Sequence, residues 1–180
     1  MKTAWVGKSI QPMPVQTKKI VSPSIIPPIM TKADYIRFYD RELAKLSSEL
    51  QAYPNEETLW AVVPGTINSA GHLGQHLIGN LKTYIGLTLG KVPYQRNREA
   101  EFTQQVFSRT ALLTEVNALP ALIRQSIEQV DDLEAPYPTE VLSIFPEQSI
   151  AVVLTHLLMH LAYHTGQMNY HRRFSLQTFL

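Results

Sequence analysis

The chain has 180 residues, of which 44% are hydrophobic and 17% charged, and its formal net charge is +1. That length suits one compact domain with its own core, and the near-even charge leaves no electrostatic footprint for nucleic acid or an anionic membrane surface. There is no cysteine, which excludes disulfides, thiolate metal sites and a cysteine nucleophile; a transition metal here must be held by nitrogen and oxygen ligands.

Residues 1–30 read as an extended arm, because Pro12, Pro14, Pro23, Pro27 and Pro28 interrupt any helix and no amphipathic period emerges. The opening stretch MKTAWVGKSIQPMPVQTKK lacks the apolar core and small-residue cleavage site of a secretory signal. No apolar run approaches the roughly 20 residues that a spanning helix needs. A cytoplasmic protein with no membrane partner is expected.

From Thr31 the pattern turns helical. Tyr35, Ile36, Tyr39, Leu43, Leu46 and Leu50 form a stripe at i, i+3, i+4, i+7 spacing, with Thr31 as N-cap and Asp34 in the first turn, and Pro54 stops the helix. A connector, NEETLWAVVPGT, follows. The second helix is expected from about Ile67 to Leu89, capped by Thr66 or Asn68, with Gly90 at its C-terminus. Glycines at 71, 74, 79 and 86 each cost roughly 1 kcal/mol relative to alanine in a helix, so close approach of another helix is expected there, at the centre of the bundle. After the polar loop KVPYQRNREAEF, a third helix spans about 109–131, bent near Pro120. The last helix starts near Pro146 or Glu147 and continues to about Arg173. Four long helices without a strand signal predict an all-α four-helix bundle over residues 31–180, preceded by the Pro-rich arm.

The chemistry is carried by histidines. His156, His160 and His164 recur every fourth residue of the last helix, and His72 and His76 repeat that spacing in the second. Residues four apart share a helix face, and neutral imidazole is the commonest metal ligand. Five polar rings on apolar helices would cost roughly 1–3 kcal/mol each if buried without partners, and a divalent ion relieves that by taking one nitrogen from each ligand. Helix geometry limits the choice: residues eight apart differ by about 80° and about 12 Å along the axis. His156 and His164 therefore cannot share one ion, whereas His160 with His164, or His156 with His160, can. His72 and His76 are alternatives or a pair. His171, beside Arg172 and Arg173, reads as an exposed residue at the helix end.

Other residues flank these positions. Asn80, one turn after His76, and Gln167, three residues after His164, could hydrogen-bond a ligand or a bound water, or serve only as structural contacts. Arg96, Arg98, Glu99 and Glu101 lie in the loop after the second helix, where an arginine could clamp an anionic substrate, or the charges could simply be solvated. Tyr163 and Tyr170 read as packing residues with a polar tip. No Ser/His/Asp arrangement, phosphate loop or Glu-x-x-His pair of a di-iron bundle is visible.

The ending LLMHLAYHTGQMNYHRR, together with INSAGHLGQHLIGNLKTYI and YQRNREAEF, resembles the DinB/YfiT-like metalloenzymes. It is most similar to a branch with a GNL…RxRxxEF pattern, and the likeness covers about residues 31–174. The resemblance implies a DinB-like four-helix bundle whose three metal-binding histidines fall on His76, His160 and His164. His72 and His156, one turn earlier, would then be outer hydrogen-bonding groups, alternate ligands or polar neighbours. It also implies a homodimer and, in some relatives, metal-dependent transfer of a low-molecular-weight thiol to an electrophile. Three protein ligands leave a coordination position open, and Ni²⁺, Zn²⁺, Fe²⁺ and Mn²⁺ all accept imidazole. The expected function is a metal-dependent thiol S-transferase or hydrolase acting on a small molecule. The alternative is a non-catalytic metal-binding or stress-associated dimeric protein.

Overall fold

The computed structural model describes residues 30–138 and 148–178, with side chains as far as Ser175. The expected arm, apart from Met30, and the expected start of the last helix at Pro146 or Glu147 lie outside the described residues. Helix α1 (Lys32–Gln51) begins as the sequence predicts. Thr31 Oγ1 accepts from the Asp34 amide at 3.2 Å while Asp34 Oδ2 accepts from the Thr31 amide at 3.0 Å, so two otherwise orphaned donors are satisfied. All six residues of the apolar stripe are buried. The connector contains a short helix that the sequence did not announce, α2 (Glu56–Trp60), capped by Asn55.

Helix α3 (Ala70–Leu81) starts later than expected and is capped by Ser69, whose hydroxyl accepts from the His72 amide at 3.1 Å. Thr66 is not the cap because its hydroxyl already donates to Val63 O at 2.8 Å inside the turn at Gly65. Beyond Leu81 the chain widens into a π-helical segment, Lys82–Leu87, in which the Thr88 and Gly90 amides reach back five residues to Thr83 and Ile85. The left-handed residue that ends this element is Lys91, with φ 55°, and not Gly90. Gly90 is required for a different reason: a Cβ there would lie 2.1 Å from Ser126 Oγ. A second short helix, α4 (Ala100–Thr103), interrupts the polar loop. Helix α5 (Arg109–Glu128) runs through Pro120, and α6 (Ile150–Thr178) extends past the expected end at Arg173.

The four long helices form a ring in which α1 and α3 each pack against both α5 and α6. Their directions follow from the side-chain contacts. Lys32 meets Glu128 and Arg109 meets Gln51, so α5 is antiparallel to α1. Tyr35 meets Ala151 and Tyr53 meets Met168, so α6 is parallel to α1. Gly74 faces Leu112 and Gly86 faces Leu122, so α3 runs with α5. This makes a four-helix bundle with an up-down-down-up order. Leucines such as Leu43, Leu77, Leu119 and Leu161 fill its centre, each contributing roughly 1.5–3 kcal/mol on burial. Every residue of α3 except His72 is buried, as expected of the central helix.

Helix α6 is apolar on two sides. Its inner face buries Val153, Leu154, Leu157, Leu161 and Met168, while Met159, Tyr163, Tyr170 and Phe174 stand more than half exposed on the outside. Tyr163 and Tyr170 are therefore surface residues and not the packing groups that the sequence suggested. Among the described residues the only extended pairing is an isolated antiparallel bridge, Pro136 with Ser149. No described helix is long and apolar enough to cross a membrane.

Candidate metal centre

The antiparallel crossing of α3 and α6 brings His76 against the His160–His164 pair. His160 Nε2 lies 3.3 Å from His76 Nε2 and 3.0 Å from His164 Nε2. One ring nitrogen from each of the three lies within 4.8 Å of the other two. A tetrahedral ion with bonds of about 2.0–2.1 Å to imidazole nitrogen sets its ligand atoms about 3.3 Å apart. The residues present fit a divalent transition ion held by two ligands from one helix and one from another.

Outer hydrogen bonds fix which nitrogen faces inward. Glu101 Oε2 accepts from His76 Nδ1 at 2.9 Å, and Gln167 Oε1 accepts from His164 Nδ1 at 2.6 Å. With the proton on Nδ1, each Nε2 presents a lone pair to the shared point. His160 Nε2 sits between these two lone pairs and can donate to only one of them. A cation at the common point satisfies all three, which no placement of protons can do. His160 Nδ1 is buried without a hydrogen-bond partner among the described residues.

The field at the centre is set by burial and by neighbouring charge. Burial, reinforced by the positive potential of His164, His76, His156 and Arg96, pushes the His160 imidazole down to about 3. Burial also lowers His164, partly opposed by its bond to Gln167. Neutral rings are the form a metal requires. Glu101, 5% exposed, is pushed up by burial, but hydrogen bonds from Arg96 and His76 outweigh this and hold its carboxyl below the usual range.

The loop around α4 supplies this carboxylate. Arg96 directs Nε to Glu101 Oε1 at 2.7 Å and Nη2 to Oε2 at 2.8 Å, a two-pronged clasp. Arg96 Nη2 and His76 Nδ1, 3.3 Å apart, converge on the same oxygen. Gly79 explains why the carboxylate can enter: a Cβ there would lie 2.0 Å from Glu101 Oε1. The glycines of α3 thus accommodate side chains; Gly71 likewise faces the Trp60 ring and Gly74 faces Leu112. Gln75, which the sequence reading passed over, pins the loop in place. Its amide nitrogen donates to Glu101 O and Gln104 O, both at 2.7 Å, and its oxygen accepts from the Val106 amide at 3.1 Å. A lone glutamine inside the apolar run SAGHLGQHLIGN was the available signal. Phe102 was also missed; its ring packs 4.7 Å from His76.

The remaining candidates are placed as follows. Arg98 lies over the Phe102 ring at 5.6 Å, and Glu99 precedes α4. His156 stacks on His160 with ring centroids 6.3 Å apart, one turn from the three converging nitrogens. His72 packs edge-on against Trp60, with its Nδ1 buried and unpartnered among the described residues and its imidazole lowered by burial. Asn80 is buried, and its Oδ1 has no hydrogen-bond partner among the described residues. His171 is not the exposed helix-end residue expected from sequence. It is 3% exposed, with Nδ1 2.9 Å from the Tyr53 hydroxyl and Nε2 donating to Ala61 O at 2.9 Å. Helix α6 packs this turn against Tyr53, just beyond α1, and against Ala61 in the connector.

No curated protein matches the chain. Residues 31–177 match the family described as "Protein of unknown function (DUF1572)".

Proposed function

The chain belongs to the DUF1572 family, and from that premise we propose that the protein is a metal-dependent enzyme of the thiol S-transferase or hydrolase type, acting on a small molecule at an open three-histidine site. The carrying observation is the convergence of His76, His160 and His164 through ring nitrogens whose lone pairs are aimed by Glu101 and Gln167. The resemblance to DinB/YfiT-like metalloenzymes supports the same reading, because their ligand positions fall on these three residues. A divalent ion bound there supplies Lewis acidity and an open coordination position. The protein's part is to hold three neutral imidazoles, to anchor His76 through the Arg96–Glu101 clasp, and to leave the α6 side of the site accessible past Gln167.

The test is to quantify metal in the purified protein and in His160→Ala, then assay low-molecular-weight thiols with model electrophiles and model esters. Stoichiometric metal in the wild type, its loss in the variant, and turnover that follows metal content are expected. Metal held tightly without turnover of any thiol or ester would favour a non-catalytic metal-binding or stress-associated dimer. Metal near zero in both proteins would leave only a structural bundle.

A further inference from the structure

Beside the metal centre, an open cleft of about 580 Å³ lies between the turn at residues 65–68 and the outer side of α6. Ile67, Tyr163, Tyr170 and Phe174 line it, and these are 91%, 63%, 64% and 56% exposed. Large apolar groups gathered around one concavity mark a binding site more often than scattered ones do. Among the described residues, no lysine, arginine, aspartate or glutamate lines the cleft. The one titratable imidazole in its wall, His171, has both ring nitrogens engaged and is lowered by burial. Desolvating a charged ligand here would find no opposite charge to offset the cost, whereas an uncharged ring would stack on the tyrosine and phenylalanine faces.

The cleft is joined to the metal centre through Gln167, which lines it. The Gln167 carboxamide accepts from His164 Nδ1 at 2.6 Å and donates to the Tyr163 hydroxyl at 3.0 Å, and the Tyr163 ring packs 5.2 Å from that of His164. A molecule seated between the aromatic walls therefore abuts the groups that orient a candidate ligand.

We propose that this cleft binds an uncharged, aromatic small molecule. Its identification as the substrate-recognition half of the site rests on the metal-dependent activity proposed above; the binding itself does not. Gly166 provides a clean way to block it, because it lines the cleft and a Cβ there meets nothing within 4 Å.

The experiment titrates the full chain with two fluorescent probes of the same shape, uncharged N-phenyl-1-naphthylamine and anionic 1-anilinonaphthalene-8-sulfonate. The neutral probe is expected to bind at least tenfold more tightly, and Gly166→Leu to weaken it at least tenfold while far-ultraviolet dichroism and metal content stay at wild-type levels. Metal-free His160→Ala is expected to retain probe binding, so a failure of the metal reading leaves this result standing. Equal binding of the two probes, or undiminished binding by Gly166→Leu, overturns the proposal. So does a Gly166→Leu variant that splits a dimer into monomers with probe binding unchanged, since the face would then seat a second copy of the chain.

Discussion

Helix α6 carries two kinds of inward-facing histidine about three turns apart. His171 is saturated: a hydroxyl and a backbone carbonyl occupy its two nitrogens. His160 is surrounded by other imidazoles, with Nε2 between two lone pairs and Nδ1 unpartnered. Both are held below the ordinary imidazole value, chiefly by burial. What separates a structural histidine from a candidate ligand is therefore not burial or helix position but whether ordinary donors and acceptors complete its hydrogen bonding. Where they do, the ring is a strut between elements. Where three rings leave each other incomplete, they form a group that could hold a metal ion.

The sharpest way to break this comparison is to remove each ring in turn. His160→Ala should abolish metal retention, losing more than the roughly 10–100-fold in affinity typical of an outer partner. His171→Ala should keep the metal but lower the unfolding free energy by about 1–3 kcal/mol, because Tyr53 and the Ala61 carbonyl lose a partner. Elemental analysis after dialysis and urea titration read the two effects, and the reverse pattern would refute the distinction.

Next in size are the groups that aim His76. Glu101→Gln should weaken metal binding about 10–100-fold. Gly79→Ala should do the same, although alanine favours a helix by about 1 kcal/mol over glycine, because its methyl would displace the Glu101 carboxylate. Competition with a chelating dye measures both; unchanged affinity in Gly79→Ala would show that the carboxylate does not orient the ligand.

A smaller effect is expected on pH dependence. Unfolded imidazoles titrate near about 6.5, whereas burial and neighbouring positive charge bring folded His160 to about 3, and burial lowers His72, His164 and His171 as well. Below pH 6.5 the unfolded chain binds more protons than the folded one, so the metal-free protein loses stability as pH falls through that window and keeps it in full above. His160→Leu should flatten the slope of melting temperature against pH. A slope identical to the wild type would remove His160 from the account. The smallest change is expected for His156→Ala, which loses only a stacked neighbour of His160; metal affinity should move by less than for Glu101→Gln in the same chelator assay.

Much of this architecture is legible in the sequence. Period and capping residues gave α1 nearly to the residue, since the Thr31–Asp34 box and the Tyr35–Leu50 stripe are local features. The i, i+4 histidines could be paired because helix geometry fixes which residues share a face. Less was legible where the decisive partner is distant. Ser69 displaced Thr66 as the cap because Thr66 was already committed to the turn at Gly65. Gly90 answers to Ser126 on another helix, and Gly79 to a carboxylate in the following loop. His171 went wrong for the same reason: its position near charged residues suggested exposure, while its partners, Tyr53 and Ala61, lie more than a hundred residues away.

Sequence by itself determined the four long helices, their apolar faces and the alignment of histidines within each helix, because these depend on a repeat of 3.6 residues and on neighbours within one turn. Only the tertiary structure decided that His76 meets His160 and His164, that Glu101 and Gln167 turn their lone pairs inward, and that His171 is closed off. Those outcomes depend on the direction and register with which α3 and the α4 loop pack on α6, and no local pattern encodes the relative placement of elements so far apart along the chain.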